Sequence, residues 1–164
     1  MPTLPTVNSN DPVKLAPHSQ DSEEATLGSF LINPDLFSDE ELKILDWMNG
    51  EDFYFMHHRF IWEAMLRLLD RGDSIDALTV CEELRAAYSK GDKQNHLDKI
   101  GGASFITYLI NNTPTHIHIE TYAKIVVRLA LRRRILDAGS KLAQLALADD
   151  MEIDQIVNSI EGVV

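Results

Sequence analysis

The strongest hydrophobic pattern in the chain runs from Met56 to Arg71. Apolar side chains there recur at intervals that place them along one side of a helix, with polar residues on the other side. They are Phe60, Ile61, Ala64, Met65, Leu68 and Leu69. Gly72 follows, and glycine commonly ends a helix in the left-handed conformation. The spacing predicts an amphipathic helix over residues 56–71.

A second helical pattern precedes it. Pro17 is followed by two candidate N-caps, Ser19 and Asp21, and Asp21 lies three residues before Glu24, as in a capping box. Asn33-Pro34 should end this helix. Its predicted common face contains a glycine, which would allow another helix to approach closely; the face is Ala25, Gly28, Leu31 and Ile32.

Three further helices are predicted within the same part of the chain. Ser38 with Glu41 resembles a capping box, and a helix would run from there through Met48 until Asn49-Gly50. Asp76 should cap a helix whose inward residues are Val80, Cys81, Leu84 and Tyr88. After a polar loop over residues 89–95, a short helix from Gly102 to Ile110 should bury Phe105, Ile106, Leu109 and Ile110.

The C-terminal part has a different pattern. Residues 115–148 contain no proline and would form a helix of roughly 51 Å at ~1.5 Å per residue, longer than a small domain is wide. Asp149 with Glu152 resembles another capping box, and a second apolar stripe follows it. Two such helices predict a hairpin that cannot cover its own apolar faces, so we expect it to pack against another copy or another protein. The predicted oligomer interface is Leu129, Ile153, Ile156, Val157 and Ile160.

These patterns predict an all-α fold, because no strand-like alternation and no repeat of 20–50 residues is visible. We expect a flexible N-terminal tail over residues 1–16, a compact helical globule over 17–114 and a long helical hairpin over 115–164. The last predicted helix runs to Val164 without a C-cap, so we expect the natural protein to continue beyond it.

Composition supports a folded protein of about one domain, with 164 residues of which 45% are hydrophobic. One cysteine, Cys81, excludes an internal disulfide and fits a reducing compartment. No segment approaches the ~20 apolar residues of a membrane span, and no secretory signal is visible. The sequence therefore predicts a cytoplasmic protein without a membrane partner.

Charge is distributed unevenly. The whole chain carries a net charge of −11, whereas residues 115–148 hold six basic and two acidic residues, a local net charge of +4. Because tight non-specific binding of nucleic acid requires several phosphate contacts, we expect the isolated chain to bind single-stranded DNA only weakly. Two interpretations remain for the run of three arginines, Arg132, Arg133 and Arg134. It is either a solvated helix face or part of an interface with an acidic surface.

Motifs for catalysis are missing from the sequence. No phosphate-binding loop of the G-x-x-x-x-G-K-[ST] type occurs, so we expect no ATP or Mg²⁺ site in this chain. His116 and His118 lie two residues apart, which suits a shared metal poorly, and His57-His58 lies at a predicted helix start. Cys81 lies on an apolar helix face without a basic neighbour and fits a small core residue. A metal-dependent helical hydrolase is the enzyme alternative.

Several short motifs, in this order, resemble the N-terminal domain of DnaB-family replicative DNA helicases over residues 17–164. They are Pro17-His18-Ser19 with Leu27-Gly28, Asp52-Phe53-Tyr54 with His58-Arg59 and Ile61, Ser74-Ile75-Asp76 with Leu78-Thr79, Gly101-Gly102, Thr113-Pro114, and Tyr122-Ala123-Lys124-Ile125-Val126 with Leu131-Arg132-Arg133.

The resemblance implies a helical globule with a hairpin that dimerises, builds a collar on a hexameric ring, and docks primase and in some systems a loader. ATP-driven unwinding would belong to a C-terminal RecA-like domain that is not in this chain. The implied primase face lies where the Gly-Gly helix meets the long helix, at Phe105, Arg133, Leu136 and Leu142. Alternatively, Phe105 and Leu136 are core residues and Arg133 is solvated.

A second alternative concerns the whole protein. A free-standing interaction protein with the same fold could bind or block a helicase or primase. It would differ from a helicase domain only in whether the reading frame continues past Val164 into a linker and ATPase domain.

Overall fold

The computed structural model describes residues 16–147, and in them the chain forms seven α-helices. These are α1 (Gln20–Ile32), α2 (Ile44–Trp47), α3 (Met56–Arg71), α4 (Ala77–Ala86), α5 (His96–Ile100), α6 (Ala103–Asn112) and α7 (Ile119–Ala146), with 3₁₀ turns at Pro34–Ser38, Gly50–Asp52 and His116–His118. Over this range no strand forms, and one isolated bridge joins Tyr88 to Asn95. The predicted all-α fold is confirmed.

The core lies between α1 and α3. Helix α1 packs against α3, α6 and α7, and α3 packs against α4 and α5. Four fully or nearly fully buried aromatic rings fill the centre, with Phe30 4.1 Å from Phe37 and both of them 5.5 Å from Trp62. Phe53 contacts the other side of Trp62 at 5.5 Å. These rings fix the position of the N-terminal end of α3 against α1.

Helix boundaries with strong local signals agree with the prediction. The longest amphipathic pattern forms α3 with the expected bounds, and Gly72 ends it at φ 72°. Asp76 caps α4 by accepting hydrogen bonds from the N–H groups of Leu78 and Thr79. Between the two candidate caps of α1, the structure selects Ser19, whose hydroxyl accepts from the Ser22 N–H.

The predicted helix from Ser38 to Met48 is wrong. Ser38 ends a 3₁₀ turn, and the Asp39 carboxylate accepts from the N–H groups of Glu41 and Leu42, which fixes a tight turn instead of a helix start. Lys43 then adopts the left-handed conformation at φ 43°, and only four helical residues follow. Local side-chain bonding to the backbone here replaces the expected helix.

Smaller corrections concern α4, α5 and α6. Tyr88 was expected to face inward, but α4 ends at Ala86 and the Tyr88 side chain is exposed. The five-residue helix α5, capped by Asn95, was not predicted. In α6, Ile106 and Leu109 are buried as expected, whereas Phe105 and Ile110 are half-buried.

The long helix α7 starts four residues later than predicted. Thr115 caps the 3₁₀ turn by accepting from the Ile117 N–H, and α7 then runs for 28 residues, or about 42 Å. Ala130 is its last buried residue, so residues 131–147 extend past the core that the structure describes. Residues 1–15 of the tail predicted over residues 1–16, and the second hairpin helix, lie outside the described residues.

Candidate protein-interaction interface

A buried hydrogen bond joins α1 to the first turn of α3. The Nδ1 of His58 is 2.7 Å from Oε2 of Glu23, and the two side chains are 0% and 1% exposed. Glu23 also accepts hydrogen bonds from the backbone N–H groups of Tyr54 and Phe55. Because α3 has no side-chain cap of its own, the Glu23 carboxylate provides this function from another helix.

A second set of polar contacts joins α7 to the same region. The Arg133 guanidinium donates to the carbonyl oxygens of Pro17 at 2.8 Å and Asp52 at 2.6 Å. Arg134 pairs at 2.5 Å with the Asp52 carboxylate, which is 1% exposed. Burial lowers the pKa of Arg133, and the nearby Glu23 carboxylate opposes that shift. These bonds fix α7 against both the N-terminus of α1 and the turn before α3.

Aromatic side chains fill the space between these contacts. His18 stacks on Tyr54 with ring centroids 4.3 Å apart, and its ring also meets the edge of Phe55. The Arg133 guanidinium lies over the Tyr54 ring at 5.6 Å. Residues from three motifs that are far apart in sequence therefore meet in one interlocked cluster.

The predicted primase-face residues are not brought together. Phe105 is half-buried and packs against His57, His58 and Tyr108, while Arg133 bonds to the start of α1 and the turn before α3. Helix α6 does not pack extensively on α7. The structure does not match the alternative in which Phe105 and Leu136 are core and Arg133 is solvated, since Leu136 is 58% exposed and Arg133 is hydrogen-bonded. Leu142 is half-buried.

The second half of α7 carries apolar side chains that the described chain leaves uncovered. Leu129 is half-buried at the edge of the globule. Beyond it, the exposed large apolar residues are Leu131, Ile135, Leu136 and Leu147. The other predicted oligomer residues, Ile153, Ile156, Val157 and Ile160, lie outside the described residues.

The histidines and the cysteine considered for a metal-binding or catalytic role lie in surroundings that suit structural residues. Residues 16–147 contain no group of three His, Cys, Asp or Glu side chains arranged to hold a metal ion. Burial, followed by the neighbouring His58, lowers the pKa of His57. Cys81 is buried, and burial raises the pKa of its thiol. No helix over the described range is long and apolar enough to cross a membrane.

Sequence comparison assigns the family. The model of the DnaB-like helicase N-terminal domain matches residues 15–128, which is more than half of the chain. The chain belongs to this family. The family resemblance and the all-α helical architecture predicted from the sequence are both confirmed.

Relatives agree with this assignment. The chain is 30% identical over 151 residues to the replicative DNA helicase DnaB of Leifsonia xyli and 33% identical over 149 residues to the replicative DNA helicase DnaC of Bacillus subtilis. These alignments cover 92% and 90% of this chain but 31% and 30% of the relatives. The chain thus spans less than a third of their length.

Solved structures show the same fold. The N-terminal domain of DnaB helicase from Mycobacterium tuberculosis superposes with a TM-score of 0.77 at 31% identity, over 91% of this chain and 98% of that one. A DnaB-like replicative helicase, whose structure was determined together with its interactions with primase, gives a TM-score of 0.61 at 20% identity, over 89% of this chain and 32% of that chain.

Sequence reasoning missed the acidic half of the cluster. Glu23 follows the predicted cap and was not distinguished from the neighbouring Glu24, while Asp52 was noted only as part of a motif. One local signal was available for Glu23, because the residue before α3, Phe55, has no side chain able to cap the helix. No local signal indicated that Arg133 would reach Pro17, a contact across 116 positions.

Proposed function

We propose that this chain is the N-terminal collar and assembly domain of a replicative DNA helicase, in which it joins copies of the helicase and docks primase or a loader. ATP-driven unwinding would belong to a separate ATPase domain that uses ATP and Mg²⁺. Membership of the DnaB-like N-terminal domain family, together with relatives that are about three times as long as this chain, supports this proposal.

The observation that carries the assembly role is the exposed apolar half of α7. Leu131 and Ile135 lie four residues apart on one side of the helix and are 52% and 60% exposed, beyond the buried core. Large apolar side chains grouped on a monomer surface are typical of protein interfaces. The second hairpin helix would cover part of this face, and another copy would cover the rest.

Light scattering at increasing concentration tests assembly. We expect the chain to form a concentration-dependent dimer, and replacement of Leu131 and Ile135 with Glu should give a monomer. Leu78→Glu is the matched control, because Leu78 is 72% exposed on α4 and should leave the dimer unchanged. A wild-type chain that stays monomeric at high concentration would contradict the proposal.

Primase docking is tested separately by calorimetry with the C-terminal domain of the cognate primase. Leu136→Ala with Leu142→Ala should weaken binding by about 1–3 kcal/mol, as typical interface truncations do. Arg133→Ala is unsuitable for this test, because its contacts to Pro17 and Asp52 make it a structural residue. Equal binding by the variant and the wild type would place primase elsewhere on the domain.

Weak binding of single-stranded DNA also follows from the charges. Most cations of α7 bond within the chain: Arg133 and Arg134 reach the Asp52 region, Lys124 pairs with Glu120, and Lys141 pairs with Asp137. Few cations therefore remain for phosphates. A fluorescence titration of the isolated chain should give a dissociation constant above ~100 μM at physiological salt.

A further inference from the structure

A cavity of about 370 Å³ opens where α1, α6 and the beginning of α7 meet. Asp21 and Glu24 of α1 contribute carboxylates, while Tyr108 of α6 and Tyr122 of α7 contribute aromatic rings. The apolar part of the lining includes Ala25, Leu109 and Ile125. The cavity therefore combines negative charge, aromatic faces and aliphatic surface.

Glu24 is the unusual residue in this lining. It is 9% exposed, and it accepts hydrogen bonds from Gln20 Nε2 at 2.7 Å and from the Tyr108 hydroxyl at 3.0 Å. No ion pair involves Glu24 or Asp21 within residues 16–147. A buried carboxylate normally has a cationic partner, because hydrogen bonds from neutral groups compensate its desolvation only in part.

The neighbouring titratable groups leave the negative charge of the cavity uncompensated. The Glu24 hydrogen bond and charge, with a further contribution from Asp21, raise the pKa of Tyr108, so its hydroxyl remains a neutral donor. His57 lies within range of the Glu24 charge, but burial lowers the pKa of His57 and favours its neutral form. Neither group supplies a positive charge to the cavity.

We propose that this cavity is a recognition pocket for one Lys or Arg side chain in a basic, partly apolar segment of a partner protein. Its volume is near the lower end for ligand sites, which suits a single side chain with its flanking residues. The guest cation would pair with Glu24 and Asp21 and pack against the tyrosine rings. The proposal depends on the cavity alone, whether or not the chain is a helicase collar.

Charge favours a basic partner segment. The net charge of −11 and the two carboxylates of the cavity attract such a segment and steer it to this site.

An NMR titration of the ¹⁵N-labelled chain with two model peptides tests the pocket. The probe is Ac-Leu-Arg-Leu-NH₂, and the neutral control is Ac-Leu-Gln-Leu-NH₂. We expect the Arg peptide alone to shift amides around Asp21, Glu24, Tyr108 and Tyr122 in a saturable manner. Glu24→Gln should weaken this binding about tenfold, as expected for loss of a charge-assisted contact. Glu40→Gln, an exposed carboxylate elsewhere, should not.

Asp21→Asn provides a second variant, because Asp21 is exposed and its replacement should leave the fold intact while weakening binding. Equal binding of the two peptides, or unchanged affinity in both pocket variants, would overturn the proposal. Pocket amides that shift with protein concentration alone, and stop doing so in Glu24→Gln, would assign the pocket to a second copy and also overturn it.

Discussion

The Glu23 carboxylate on α1 accepts hydrogen bonds from the two backbone N–H groups that immediately precede α3, and its Oε2 lies 2.7 Å from Nδ1 of the fully buried His58. One side chain thereby bonds two backbone N–H groups and one imidazole across more than 30 positions of sequence. The helix that contributes most to the hydrophobic core is thus anchored by a charged group from its neighbour.

Replacing Glu23 with Ala should strongly destabilise the domain. It leaves the N–H groups of Tyr54 and Phe55 and the buried imidazole of His58 without their acceptor. Each buried hydrogen-bonding group that loses its partner typically costs about 1–3 kcal/mol. Urea denaturation followed by circular dichroism measures this change. Glu40→Ala, at an exposed site, is the control, and a loss below ~1 kcal/mol for Glu23→Ala would contradict the capping role.

Arg133→Ala should also reduce stability, contrary to what the sequence suggested for a surface residue. Its guanidinium satisfies two backbone carbonyls and covers the Tyr54 ring. We expect the free energy of unfolding to fall by roughly 1–3 kcal/mol. Arg133→Lys should recover only part of it, because an ammonium lacks the planar fork that reaches both carbonyls.

The neighbouring Arg132→Ala is the matched control, since Arg132 is exposed and its loss should change stability by less than ~0.5 kcal/mol. Equal effects of the two alanine variants in the same denaturation experiment would show that the Arg133 contacts contribute nothing specific.

Much of the fold could be predicted because its signals are local. The stripe over Met56–Arg71, the Asp76 cap and the Asn33-Pro34 stop act within a few residues, and each formed as expected. The helix predicted after Ser38 is wrong because two local preferences compete in that segment. A Glu three residues after Ser suggests a helix start, but the Asp39 carboxylate bonds the nearby backbone first.

The interlocked cluster could not be predicted in the same way. Glu23, Asp52 and Arg133 act on partners 31 to 116 positions distant, and their burial results from how α1, α3 and α7 pack. The motifs that carried the family resemblance included Asp52 and Arg133 but not Glu23, and they did not indicate the contacts of these residues. The apolar stripe of α7 was visible in sequence, yet only packing shows that Leu136 is exposed and not core.

Gly28 should tolerate no side chain. A Cβ at this position would overlap the Thr113 hydroxyl and lie 2.6 Å from the carbonyl oxygen of Leu109, which is backbone and cannot rotate away. Although alanine is the better helix former, Gly28→Ala must separate α1 from α6. We expect a loss of about 1–3 kcal/mol, as for overpacked cores.

Gly139→Ala is the control for Gly28→Ala, because Gly139 lies in α7 with open space around the added Cβ and should become slightly more stable. Thermal melts of both variants compare the two sites. A stabilised Gly28→Ala variant would show that the α1–α6 contact is not close.

His96 should make the domain less stable in mild acid. Its ring stacks on Phe60 at 3.8 Å, and Nε2 lies 3.0 Å from the Ser89 hydroxyl. Burial, followed by the charges of Lys99 and Arg67, lowers its pKa below the ordinary value of 6.5. A group whose pKa is lower in the folded state binds protons preferentially when unfolded. The stability it contributes is complete above the unfolded pKa and is lost as pH falls below it.

His96→Gln should therefore flatten the dependence of the unfolding free energy on pH between about 7.5 and 5.5, the range around the unfolded histidine pKa. The slope should not vanish, because the pKa of His57 is lowered in the same direction. His118→Gln, at an exposed histidine, should leave the slope unchanged. Urea denaturation at several pH values measures all three proteins. An identical slope in wild type and His96→Gln would mean that the folded protein binds a proton at His96 as readily as the unfolded chain does.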